Sequence, residues 1–385
     1  MAMGFVFVDR DFVQSVKQKI AREEGVWRQV RRELEDKAAE AMRKGPWSVT
    51  YFGPVAPSGD PHDYYSEAPY WWPDPENPGG PYIRKDGVTR PDRFMGHRQS
   101  FDDLSNTVLM LCYAGHYLGE KRLLDRAAQL LRVWFIDPDT RMNPHIEYGE
   151  AIPGICTGRA AGVIVLRQLD RIIHALGFLE EWPDWRKELE GMREWLKAML
   201  DWLTTSRIGI AESRSGNNHA VWWTTHVAAC AAFLGDEEKL RSAFDHFRHV
   251  ILPSQVEPDG SLPKELERTR SFHYTMFHLD AAALLFEIAH YRGLDLWNAR
   301  TPDGRSYQAA IRFVLPYLDH PYLWKWQQID GEIPGEHLSL QLAALRWNMP
   351  ECSRVNMKRR GDAKWIKDSE EVLGPLIFLP GHPLF

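Results

Sequence analysis

The chain of 385 residues carries 47 Lys and Arg against 53 Asp and Glu, a net charge of -6, with 44% hydrophobic residues. That balance describes a globular protein of one large or two ordinary domains and excludes a disordered, collagenous or coiled-coil chain. The best apolar run, Val227 to Leu234, falls short of the ~18 residues a membrane span needs, and there is no Lys/Arg excess to mark a nucleic-acid partner. Neither membrane nor nucleic acid is expected. Cys112, Cys156, Cys230 and Cys352 are scattered, with no pair at CxxC spacing, so no zinc site or disulfide framework is implied. The first eight residues lack a basic n-region and meet Asp9-Arg10 too early for a signal peptide, so the chain reads as non-exported unless a leader preceded it. Oligomeric state leaves no readable trace.

Apolar residues recur at i, i+3, i+4 and i+7 through most of the chain, while alternating β-branched runs are almost absent. In chain order, helices are expected at Phe12 to Arg43, Phe101 to Leu118, Glu120 to Phe135, Thr157 to Leu176 and Trp185 to Thr205. They continue at Asn218 to Leu234, Glu237 to Val250, Phe272 to Arg292, Ser306 to Leu318 and His337 to Trp347. Long Pro-, Gly- and aromatic-rich segments intervene at Pro46 to Gln99, Asp137 to Cys156 and Glu257 to Arg270. Loops of this length inside a compact domain are usually functional, and they are expected to wall a cleft. The basic stretch Lys358-Arg359-Arg360 reads as a solvated surface turn.

A weak repeat sets the architecture. Ala114 to Leu124 is echoed by Ala231 to Leu240, and more faintly by Ala289 to Gly293. In each, an apolar helix meets a Gly suited to the left-handed C′ position, and in the first two a charged residue opens another helix. Several such antiparallel hairpins bury their apolar faces by stacking side by side. The expected fold is therefore all-α, an (α/α) toroid or incomplete barrel, as a single catalytic domain over residues 1–385 with loop 46–99 covering the cleft.

Four segments could carry chemistry. The first contains His62-Asp63-Tyr64-Tyr65 and Tyr70-Trp71-Trp72-Pro73, aromatics held by prolines that could stack on sugar rings or simply pack on their own domain. The second, Asn143 to Arg159, includes His145, Glu147 and Glu150; Thr157 or Gly158 could cap the following helix and leave Arg159 in its first turn. The third is Asn217-Asn218-His219-Ala220-Val221-Trp222-Trp223, where an Asn N-cap would place His219 in a first turn that favours neutral imidazole. The fourth, Pro263 to Thr275, sets Arg268 and Arg270 near Tyr274, a carboxylate clamp beside a phenolic acid or base. HExxH is absent, and His273 and His278, five apart on a helix, point to different faces, so no metal site is expected.

These segments resemble, in order, the alginate lyase superfamily: Asn143-Pro144-His145-Ile146-Glu147-Tyr148 with Ala151 to Ile155, then Asn217-Asn218-His219, then Pro263 to Arg268 with His273-Tyr274. That group includes the family 5 lyases of mannuronate-rich alginate and the family 38 glucuronan lyases, and the His62 to Pro73 segment looks more like the latter. The resemblance runs from about Ser48 to Tyr274. It implies a toroid that cleaves a uronic-acid polymer by β-elimination, with Asn218 and Arg268 at the substrate carboxylate, His219 beside them and Tyr274 transferring the proton. The stretch between Arg268 and Tyr274 is slightly compressed relative to family 5, which leaves Arg270 as a second claimant to the arginine role.

The chemistry, taken by itself, agrees. A uronate C5 proton is weakly acidic beside a negative carboxylate, so that charge must be neutralised while a base takes the proton and an acid protonates O4. In β-linked mannuronate and glucuronate the two groups lie on one side of the ring, so Tyr274 could serve both in turn, with His219 as the fallback base. Arg270, His145, Arg159, Trp71, Trp72, Tyr65, Tyr70 and Trp222 are the candidate contacts to an anionic saccharide, and Arg141, Arg159, Lys264, Arg268 and Arg270 would offset the net acidity locally. The mechanism calls for no metal or other cofactor. Two rivals remain: a toroidal hydrolase pairing Glu147 or Glu150 with Asp102 or Asp103, and a saccharide-binding protein without catalysis.

Overall fold

The computed structural model describes residues 4–331 and 337–360, with side chains through residue 355. Two compact units separate, one drawn from Met1–Phe5 and Lys17–Glu212, the other from Val6–Val16 and Ser213–Phe385. Helix α1 (Arg10–Arg22) is divided between them at Val16; α2 (Trp27–Ala41), α3 (Gly96–Leu118), α4 (Lys121–Leu131), α5 (Arg167–Glu180) and α6 (Arg186–Thr205) belong to the first unit. After α7 (Arg207–Ser213), the second unit holds α8 (Asn218–Leu234), α9 (Glu237–His246), α10 (Leu252–Gln255) and α11 (Pro263–Leu266). It continues with α12 (Ser271–His290), α13 (Tyr307–Asp319), α14 (Leu338–Arg346) and α15 (Pro350–Arg360). No helix among the described residues is long and apolar enough to cross a membrane.

In the first unit α3 packs against α2, α4 and α5, and its buried face supplies Phe101, stacked on Trp134 at 5.4 Å. Strands are few and short. β1 (Tyr65–Glu67) runs parallel to β4 (Tyr148–Ala151), Tyr65 opposite Tyr148, and β2 (Trp71–Trp72) pairs antiparallel with β3 (Ile83–Arg84). In the second unit α8 lies between α9 and α12 as neighbours, and α12 also meets α14. Both α8 and α12 are buried along nearly their whole length, as expected of helices apolar all round.

The repeat read from the sequence has a common geometry. Gly119 after α3 and Gly235 after α8 sit at φ 75° and 77°, each donating its N–H back four residues, to Gly115 and Ala231. A residue with a Cβ is disfavoured there, so glycine stops each helix where the next must begin. Asp236 then caps α9 by accepting from Lys239 N–H at 3.0 Å.

Several boundaries differ from expectation. The single helix expected over Phe12 to Arg43 is two, because Glu23 turns to φ 54° after Arg22; the apolar period alone does not reveal that break. The helix expected from Thr157 has no cap at Thr157 or Gly158. Arg159 is extended, a 3-10 stretch runs over Ala160–Leu166, and α5 begins only at Arg167. Single π-helical turns, Arg132–Ile136 and Phe247–Ile251, carry α4 and α9 towards their expected ends. Lys358-Arg359-Arg360 lies in α15 rather than in a turn, while residues 361–385 fall outside the described residues.

Candidate active site

In the second unit, Asn217 caps α8, its side chain accepting the His219 N–H at 3.1 Å. His219, half-buried, is thereby held in the first turn. Asn218 is fully buried, and both its backbone N–H and its Nδ2 donate to the carboxylate of Glu265, at 2.5 and 2.7 Å. Glu265 belongs to α11, a single turn opened by Pro263, and three residues on Arg268 donates its N–H to the Glu265 carbonyl at 3.1 Å.

The Arg268 guanidinium then lies over the ring of Tyr274, with Cζ 3.8 Å from the centroid. Tyr274 stands one turn into α12, 7% exposed. Arg270 is engaged differently: Nε and Nη2 both reach Asp330 Oδ2 at 2.6 Å, and its backbone bridges Gln328. Of the two claimants to the arginine role, Arg268 is the one against the phenol. Trp222, one turn beyond Asn218, is 7% exposed and packs on Phe277 at 4.9 Å and His226 at 5.7 Å, so little of its ring faces solvent. Lys264 is exposed and paired with Glu267 at 3.0 Å.

Sequence reading assigned no part to Glu265, His278 or Tyr307. His278 Nδ1 lies 3.1 Å from Glu265 Oε1, and its Nε2 lies 2.5 Å from the Tyr307 hydroxyl. The signal was present: His278 follows Tyr274 by four residues and so shares its helix face.

The first unit holds the remaining candidates. Tyr65 donates its N–H to His97 Nδ1 at 3.0 Å, and burial, then the Glu67 charge, pushes its phenol pKa up. The Tyr70 carbonyl accepts from Lys85 N–H at 2.8 Å. Trp72 donates Nε1 to the Val88 carbonyl at 2.9 Å while Lys85 Nζ sits 4.9 Å from its ring centroid; Trp71 beside it is half-buried. Buried Asp63 gathers His145 Nε2 at 3.0 Å, Asn143 Nδ2 at 2.8 Å and Ser58 Oγ at 2.6 Å. Arg159 is paired with Glu150, Nη2 to Oε2 at 2.5 Å. Glu150 is thus held by a cation, and Arg141 is exposed.

Residues 49–324 match the family model described as alginate lyase. The chain belongs to this family and is a polysaccharide lyase. Among solved structures it is similar to an alginate lyase from Bacteroides ovatus, at 31% identity over 97% of this chain and 98% of that one, with a TM-score of 0.88. Alginate lyase A1-III from Sphingomonas species A1 is similar in fold, at 18% identity over 88% of this chain and 87% of that one, TM-score 0.50. A variant of A1-III complexed with a tetrasaccharide compares likewise, at 17% identity, 88% and 87% coverage and a TM-score of 0.51. Comparison with curated proteins returns no match. The fold class is accordingly all-α, of the (α/α) toroid kind, and lyase chemistry replaces the hydrolase reading of Glu147 and Glu150.

Proposed function

We propose that the chain works as one catalytic domain that cleaves a β-1,4-linked uronan, glucuronan or mannuronan, by β-elimination. The observation that carries the reading is the Arg268 guanidinium against the Tyr274 ring at 3.8 Å, on the turn whose Glu265 holds Asn218. Arg268, with Asn218 and His219, neutralises the uronate carboxylate and so stabilises the negative charge that spreads onto it when the C5–H bond breaks. Tyr274 as phenolate takes the C5 proton; the electron pair forms the C4–C5 double bond, the C4–O4 bond breaks, and the phenol returns the proton to O4. His219 is the alternative base.

Glucuronate and mannuronate differ at C2 and share C4 and C5, so one catalytic set serves both. That a variant of alginate lyase A1-III is complexed with a tetrasaccharide supports an oligosaccharide substrate. The His62 to Pro73 segment favours glucuronan, its aromatics Tyr65, Tyr70, Trp71 and Trp72 contacting sugar.

The test is absorbance at ~235 nm, where an unsaturated uronate absorbs, with wild type and Tyr274→Phe on glucuronan, polymannuronate and polyguluronate. The expected result is a rise with wild type on the first two that Tyr274→Phe abolishes. A rise that survives in Tyr274→Phe removes the phenol from the mechanism, and a preference for polyguluronate removes same-side proton transfer.

A further inference from the structure

Behind Asn218, one of the four residues of the proposed mechanism, runs a buried polar chain that no step of it uses: Glu265, His278 and Tyr307. Glu265 is 1% exposed, and an ionised carboxylate at such depth must be compensated by donors. It has three, all N–H: the Asn218 backbone, Asn218 Nδ2 and His278 Nδ1. The Tyr307 phenol, whose pKa burial and then the Glu265 charge push well up, lies 2.5 Å from His278 Nε2, and a carboxylate can only accept from His278 Nδ1. The ring proton then belongs on Nδ1, facing Glu265.

We propose that Glu265 is a positioning residue of the lyase reaction, fixing the Asn218 amide and tying the starts of α8 and α12 to the turn that carries Arg268. The inference rests on the function proposed above. With Nδ2 bound to Glu265, the amide cannot turn over without setting Oδ1 against the carboxylate, two acceptors face to face. Asn218 Oδ1 has no hydrogen-bond partner among the described residues, so nothing else sets that orientation. Through its own carbonyl Glu265 also receives the Arg268 N–H, and through His278 it grips α12 one turn beyond Tyr274. One carboxylate therefore touches the element of every residue in the mechanism.

Glu265→Gln tests this with almost no change of volume. The new amide can accept the Asn218 backbone N–H, but its NH2 then faces Asn218 Nδ2, and Asn218 relieves the clash by turning over. The fold's hydrogen bonds are mostly remade while Asn218 moves away its second Nδ2 proton, the donor that the native orientation leaves for the uronate carboxylate. We expect kcat on the preferred uronan to fall about 100-fold, with KM changed less than about threefold and melting within a few degrees of wild type. Tyr307→Phe, which disturbs only the far end, should lower kcat about three- to tenfold at unchanged KM, and it serves if Glu265→Gln does not fold. Wild-type kcat in folded Glu265→Gln, or in Tyr307→Phe where that is the variant read, overturns the proposal while leaving the lyase reading intact. A wild-type enzyme inactive on every uronan overturns both.

Discussion

Two loop–helix junctions look alike in the sequence: Asn143 to Arg159 before one apolar helix, and Ser215 to His219 before another. In three dimensions they part. At the second, Asn217 caps α8 at once, and Asn218 is sunk onto a carboxylate that comes from 47 residues further along the chain. At the first there is no cap, the chain runs extended through Arg159 into a 3-10 stretch, and the charged groups pair in the loops, Arg159 with Glu150 and His145 with Asp63 of the segment before β1. A polar cluster before a helix is thus no sign of a site by itself. What sets the α8 junction apart is that its buried carboxylate is met by Asn218 and His278, while the Arg268 guanidinium lies against the Tyr274 ring.

The sharpest way to break that contrast is Tyr274→Phe, which removes one oxygen from a ring that keeps its packing. A fall of about 10²- to 10⁴-fold in kcat is expected, the usual worth of a positioned acid or base. The two arginines give the next largest separation. Arg268→Gln should cost on the order of 100-fold in kcat, as expected when charge stabilisation is lost in the transition state. Arg270→Gln opens a half-exposed pair with Asp330 and should change kcat less than about threefold and stability by about 0–1 kcal/mol. Equal losses for the two would dissolve the distinction between them.

Legibility in the sequence followed the range of the interactions. Helix α8 was expected at Asn218 to Leu234 and lies there, because its Asn cap and its Gly stop are both local signals. Three features were not legible. The break at Glu23 leaves the apolar period undisturbed, the 3-10 stretch before Arg167 keeps the apolar run and carries no cap, and the Glu265 to Asn218 contact joins distant segments. The site residues named from the sequence were found by motif order, whereas the carboxylate behind them answers to burial, which no short pattern records. Trp222 illustrates the reverse: an aromatic beside the motif that the helix turns mostly inward.

Acid should act on the first unit through buried histidines. His116 on α3 is buried with neither ring nitrogen hydrogen-bonded among the described residues, and burial, then Lys17, lowers its pKa from 6.5 to about 4. The neutral ring is the folded form, so the unfolded chain binds more protons below 6.5. Stability should be complete above that pH and lost as pH falls towards 4, by about 3 kcal/mol from this group. His174, lowered to about 3 by burial, acts in the same direction. His116→Phe should flatten the slope of melting temperature between these pH values; an unchanged slope would place the acid sensitivity elsewhere.

A smaller effect than those at Tyr274 and Arg268 is expected in the β2–β3 hairpin. Trp72 is held by its hydrogen bond to Val88 and by Lys85 over its ring, contacts that an aromatic packing on its own loop would make whether or not it binds sugar. Trp72→Ala separates the two roles. If the ring stacks on saccharide, about 1 kcal/mol of binding is lost, so KM rises about fivefold with kcat and melting temperature near wild type. If it only closes the hairpin, melting temperature falls and KM stays. Trp72→Phe sharpens the result, because it keeps a flat face but not the bond to Val88, and should recover KM only in the first case.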